Sequence, residues 1–259
     1  MLNEIIRSIA AAARNLFSNW RTLSLLVLLY AALLLALYWF VTTGVATVWQ
    51  VVLTFALIVI APLLFFLLQA LSVSYATGEL TTGAWLKRAL RDWWKLLLVS
   101  LPLVLLAIGL TLLFEKGAVK LEDRAHESGA KFLLTAFSVL RFVVLYIALP
   151  LMAIQLWIAA SREGLGAALK GVWRNLVRAL SLRSLLTYLT GFVIFAVIPY
   201  FLFFTRTPAK NAWLEMSLLG MRLMMALMII FFGWVVTVGA LARISSDDAT
   251  PVMPQRGKV

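Results

Sequence analysis

The chain contains no cysteine, a single histidine, His126, and only eleven carboxylate side chains in 259 residues. Without thiols there is no disulfide framework, no thiolate metal site and no cysteine nucleophile. One histidine makes no imidazole cluster for zinc, and Glu122, Asp123 and Glu127 beside it lack the spaced ligand order of a calcium loop. No Gly-rich phosphate loop, G-x-S-x-G or H-E-x-x-H occurs, so nucleotide-driven or hydrolytic chemistry finds no residues to run on. Neither a cofactor nor a catalytic residue is expected.

Charge is scarce as well. Charged residues make up 13% of the chain and hydrophobic ones 63%, against roughly 25% charge in an ordinary soluble domain. No soluble core buries that much apolar surface, but a bilayer accommodates it, provided each crossing segment satisfies its own backbone hydrogen bonds. The apolar stretches run for about twenty residues without the alternation of barrel strands, so they are expected to be helices.

The first charge-free stretch, Thr22 to Gly78, is too long for one crossing and is divided by Thr42-Thr43-Gly44. Six spans follow, near 23–41, 48–72, 96–114, 142–160, 184–205 and 223–242. The first is too long for a signal-peptide core and reads as an uncleaved span. Pro62, Pro102, Pro150 and Pro199 each fall in a different span, where a kink is expected. Segment 115–131, with four basic and four acidic residues, reads as a hydrated loop with room for some helix, and 245–259 as a disordered cytoplasmic tail.

Fifteen lysines and arginines flank the spans on the side of the N-terminus, and six lie beyond the opposite ends. That bias puts both termini on the cytoplasmic side. It also explains a net charge of +12 through anionic headgroups, without nucleic acid, because the cations sit beside apolar runs. Arg141 and Arg222, 81 residues apart, are expected to anchor the opposite interface.

Self-similarity adds detail. Gly83-Ala84-Trp85-Leu86-Lys87 with Arg91-Asp92 matches Gly166-Ala167-Ala168-Leu169-Lys170 with Arg174-Asn175, and Ile9 with Arg14-Asn15 gives a weaker first copy. Each copy is amphipathic at helical spacing. Arg7, Arg14 and Arg21 recur opposite one apolar face; Lys87, Arg88, Arg91 and Lys95 opposite the second; Lys170, Arg174 and Arg178 opposite the third. These ten cations are the candidate headgroup-binding residues of three interfacial helices, each leading into a hairpin. The expected architecture is one all-α membrane domain, 1–244, of three pseudo-repeated units near 1–77, 78–160 and 161–244.

The layout resembles the YciC-like family of six-span bacterial inner-membrane proteins, related to the membrane domain fused to some glycerophosphodiester phosphodiesterases. The resemblance rests on 83–92 and 166–175 leading into hairpins, and implies neither a phosphodiesterase activity nor a site residue. Membrane lipids are the expected partners, with partner membrane subunits the other contact. A second reading, a permease component for an apolar or amphipathic solute, leans on Gln69, Tyr75 and Gln155 as a polar pocket. In-span amides also serve as interhelical hydrogen-bond donors and acceptors, so these three residues fit either use.

Overall fold

The computed structural model describes residues 2–44, 47–75, 82–128, 131–205 and 211–247. Residues 248–259, most of the expected tail, lie outside them, as does the side chain of His126. Among the described residues there is no strand, and six helices are long and apolar enough to cross a membrane.

Helix α1 (Leu2–Ser18) leads into α2 (Trp20–Thr42), followed by α3 (Val48–Tyr75) and α4 (Thr82–Ser128). Next come α5 (Lys131–Phe142), a π-helical segment Val143–Ala148 and α6 (Leu149–Glu163). Two short helices, α7 (Leu165–Lys170) and α8 (Val172–Ala179), precede α9 (Leu182–Phe192). A second π segment, Val193–Val197, joins α9 to α10 (Ile198–Phe204), and α11 (Ala212–Asp247) closes the chain.

Capping residues decide where the basic segments separate from their spans. Asn19 accepts from the Thr22 N–H at 3.3 Å, which ends α1 and starts α2 afresh. Ser181 does the same for Ser184, also at 3.3 Å, between α8 and α9. The matching stretch of the second copy is Lys95-Leu96-Leu97-Leu98, with no capping side chain, so α4 runs unbroken for 47 residues. The second basic segment is therefore the first part of its span and not a separate interfacial helix. At its other end α4 continues through Ser128, where the sequence suggested a hydrated loop, and α11 likewise reaches Asp247 inside the expected tail.

The ends of α3, α6 and α11 gather with α1 and the starts of α4 and α9 on one side, here the terminal side. Arg88 Nη2 donates to the Ser161 carbonyl at 3.3 Å and Arg162 Nη2 to that of Ala242 at 2.6 Å, so arginines close the carbonyl ends of α6 and α11. The core lies in this half. Leu71, Val73, Leu151, Ile154, Val238 and Leu241 are all fully or almost fully buried. In the opposite half Phe55, Leu105, Tyr146, Phe201 and Met224 face outward, an apolar surface of the kind lipid covers.

Helix α1 also departs from a free collar. Its Ile5, Ala12 and Leu16 stripe is buried, the helix packs on α11 and α9, and Phe17 meets Phe232 with ring centroids 5.5 Å apart. The N-terminal segment thus docks across the last hairpin, with Ile6 and Phe17 exposed on α1 and Trp20 exposed at the start of α2.

Two of the four in-span prolines sit just past π segments. Pro150 has no N–H for the carbonyl four residues back, that of Tyr146, and the Tyr188 hydroxyl donates to it instead at 3.0 Å. Tyr188→Phe should therefore cost about 1 kcal/mol in an unfolding titration in mixed micelles. In a Pro150→Ala background, where a backbone N–H is restored, the same substitution should cost clearly less. Equal costs in both backgrounds would mean that the hydroxyl is not serving the proline-freed carbonyl.

Candidate functional site

The terminal side carries the cations, and their surroundings sort them. Asp92 is fully buried, with Arg88 Nε at 3.8 Å, Arg91 Nε at 3.6 Å and Lys95 Nζ at 2.5 Å. Helical spacing accounts for this, since i−4 and i+3 share a face with position 92. Arg88 and Lys95 are half-buried about that carboxylate, whereas Arg91 is 72% exposed and keeps most of its guanidinium outside. Arg88 belongs to two contacts at once, because it also closes α6.

Of the other candidate headgroup ligands, Arg7, Arg14, Arg21, Lys87, Lys170 and Arg174 are exposed and Arg178 is half-buried. Arg174 pairs with Glu163 at 2.9 Å, a surface contact worth about 0–1 kcal/mol and open to competition by phosphate. Lys87, Arg88 and Arg91, with Ala84, line a hollow of about 430 Å³ on this side. Three cations around one depression attract an anion, and guanidinium groups bind phosphate oxygens in pairs.

The two best-matched segments also agree in what they bury. Positions 85 and 168, 92 and 175, and 96 and 179 are buried in both, and positions 87 and 170, 91 and 174 exposed in both. Asn175, the counterpart of Asp92, donates Nδ2 to the Ala168 carbonyl at 3.5 Å. The first segment follows less closely, with Asn15 only half-buried.

Gln69, Tyr75 and Gln155 are each committed to a separate helix contact. Gln69 Oε1 accepts from Trp234 Nε1 at 2.8 Å, joining α3 to α11. Gln155 Nε2 donates to Ser184 Oγ at 3.4 Å, joining α6 to α9. The Tyr75 hydroxyl donates to the Val235 carbonyl at 3.1 Å, reaching it across Gly239, where any Cβ would overlap the phenol. Tyr75 borders a recess, about 170 Å³, shared with Asn15, Asn19, Thr22, Ser74 and Trp85. Gln69→Leu would leave the Trp234 N–H without its acceptor, with an expected loss of about 1 kcal/mol on unfolding in mixed micelles. A gain in stability would show that the amide is kept for something other than this contact.

Sequence reading treated Asp92 only as part of the repeat pattern. The signal was nonetheless present, since an acidic residue with cations at i−4, i−1 and i+3 is placed to neutralise them. Among the described residues no three histidine or acidic side chains come together as a metal site would need. Comparison with known protein families, with curated proteins and with solved structures returned no match to this chain.

Proposed function

We propose that the chain is a non-enzymatic, inner-membrane protein whose basic terminal side lies on the cytoplasmic leaflet and engages anionic headgroups, in envelope organisation or as the membrane subunit of an assembly. The observation that carries this reading is the hollow bounded by Lys87, Arg88 and Arg91, with Lys170 and Arg174 exposed at corresponding positions of a similar segment. The lysine and arginine bias supports the orientation. Shared burial of 85 with 168 and 92 with 175 supports a duplication of the second and third units. The permease reading has less support, because Gln69 and Gln155 are each spent on a helix contact.

Near an anionic surface each exposed cation contributes about 1 kcal/mol, so four act together appreciably. Protein extracted with its lipid annulus in polymer nanodiscs should carry two- to threefold more phosphatidylglycerol, relative to phosphatidylethanolamine, than the bulk membrane. The variant Lys87→Gln/Arg91→Gln/Lys170→Gln/Arg174→Gln should lose that enrichment. An unchanged annulus in this variant would overturn the proposal.

A further inference from the structure

A second feature lies away from the basic side. An apolar groove of about 420 Å³ runs between α4 and the α5–α6 helix, with Ser100 and Trp157 at one end and Thr111 and Arg141 at the other. Along α4 its wall is Ser100, Val104, Ala107 and Thr111, eleven residues or roughly 16 Å of helix. Phe65 and Phe66 of α3 complete the lining, and an apolar trough of this length suits a hydrocarbon chain.

Among the described residues the hydroxyls of Ser100 and Thr111 are satisfied locally, and the Tyr146 hydroxyl and the Arg141 guanidinium are not. Ser100 Oγ donates to the Leu96 carbonyl at 2.7 Å and accepts from Trp157 Nε1 at 2.7 Å, and Thr111 Oγ1 donates to the Ala107 carbonyl at 2.8 Å. Arg141 forms no hydrogen bond or ion pair among the described residues. Its counterpart 81 residues on, Arg222, instead donates to the Thr205 carbonyl at the end of α10. Twenty residues separate Arg141 from Ser161 at the terminal side, roughly 30 Å of helix, which puts the guanidinium at the far edge of a hydrocarbon layer. That is headgroup depth, where a long cationic side chain turns outward to phosphate.

We infer that this groove holds one acyl chain of an anionic glycerophospholipid from the leaflet opposite the terminal side, with the lipid phosphate on Arg141. The occupant matches the site at both ends: an apolar chain for an apolar trough, and an anion for a cation with no ion-pair partner among the described residues. Dispersion contacts along the trough hold the chain, and Arg141 selects among headgroups. The site is independent of the basic side, since none of the ten cations proposed there lines it.

Native mass spectrometry of the full chain in mild detergent, titrated with phosphatidylglycerol or phosphatidylcholine of identical chains, tests this. The wild type should retain one phosphatidylglycerol about tenfold more tightly than phosphatidylcholine. Arg141→Gln should bring the two lipids to near-equal, weaker retention. Ala107→Phe, which fills the trough and leaves the charge, should weaken both, and Ala153→Leu serves if the first variant does not fold. The Lys87→Gln/Arg91→Gln variant should keep the tightly held lipid even where the annulus loses its enrichment, so failure here and failure of the basic-side reading are separable. Persistence of the tenfold preference in Arg141→Gln, or undiminished retention in a folded trough-filling variant, overturns the inference, as does displacement of the lipid by self-association of the chain.

Discussion

Asp92→Ala should lower the unfolding free energy by about 3 kcal/mol, and Asp92→Asn by less than half as much. The carboxylate is fully buried and is surrounded by Arg88, Arg91 and Lys95. Removing it leaves three like charges within about two helical turns, two of them half-buried, with no counter-ion. Arg88 is then pushed from its neighbours, which puts its bond to the Ser161 carbonyl, and so the latch between α4 and α6, at risk. Asparagine retains an acceptor for Lys95 without the charge, and position 175 already carries a buried asparagine in the similar segment. Because the three cations are partly exposed, the cost of the alanine variant should shrink in high salt. Denaturant titration in mixed micelles at low and high ionic strength reads both effects. An alanine variant as stable as wild type would mean that the cluster is solvated and contributes nothing.

The spans were readable in advance because membrane crossing is a property of composition over about twenty residues, which needs no knowledge of neighbours. All six appear where the apolar runs lie, though longer, since helices continue past the hydrocarbon boundary into 115–128 and 243–247. The three basic segments were also visible, but their similarity concealed a difference in backbone. Two single side chains, Asn19 and Ser181, break the first and third from their spans, and the second has no such residue. A pattern of apolar and basic positions does not register a cap: Asn19 falls between Arg14 and Arg21 of the first segment without disturbing it.

Partnership between distant helices was the part that sequence withheld. Gln69 and Trp234 stand 165 residues apart and Tyr188 and Tyr146 stand 42 apart, and nothing in spacing links them. In-span polar residues were identifiable as candidates, but whether they lined a pocket or joined helices depended on which helix lay opposite. The groove at Arg141 was invisible for the same reason: its lining comes from α3, α4 and α5–α6, whose facing residues are tens of positions apart. Arg141 itself stood out as a cation at the start of an apolar run, which set its depth but not its neighbours.

The seam between α9 and α11 makes the strongest claim on packing. Gly191 faces Thr237, where an added Cβ would overlap Oγ1 and lie 2.5 Å from Cγ2 and 2.8 Å from Cβ. One turn along, Gly233 faces Phe195, where it would lie 2.9 Å from Cβ and 3.2 Å from Cα. The glycines are placed reciprocally, one on each antiparallel element, four residues from the bulky residue that meets the other glycine. Small residues permit this closeness in membranes, where apolar burial between helices is no driving force and van der Waals contact must supply it. Gly191→Ala should cost about 2 kcal/mol and Gly191→Val about 3 kcal/mol or more, because Thr237 is β-branched and tied to the Gly233 carbonyl at 2.6 Å. The two sites should then diverge under truncation. Thr237→Ala removes two of the three overlapping atoms and should restore roughly half the loss in Gly191→Ala. Phe195→Ala keeps the Cβ and Cα that a residue at 233 would strike, so it should restore none of the loss in Gly233→Ala. Two double-mutant cycles measured by unfolding in mixed micelles separate these outcomes, and equal rescue at both sites would rule out the reciprocal seam.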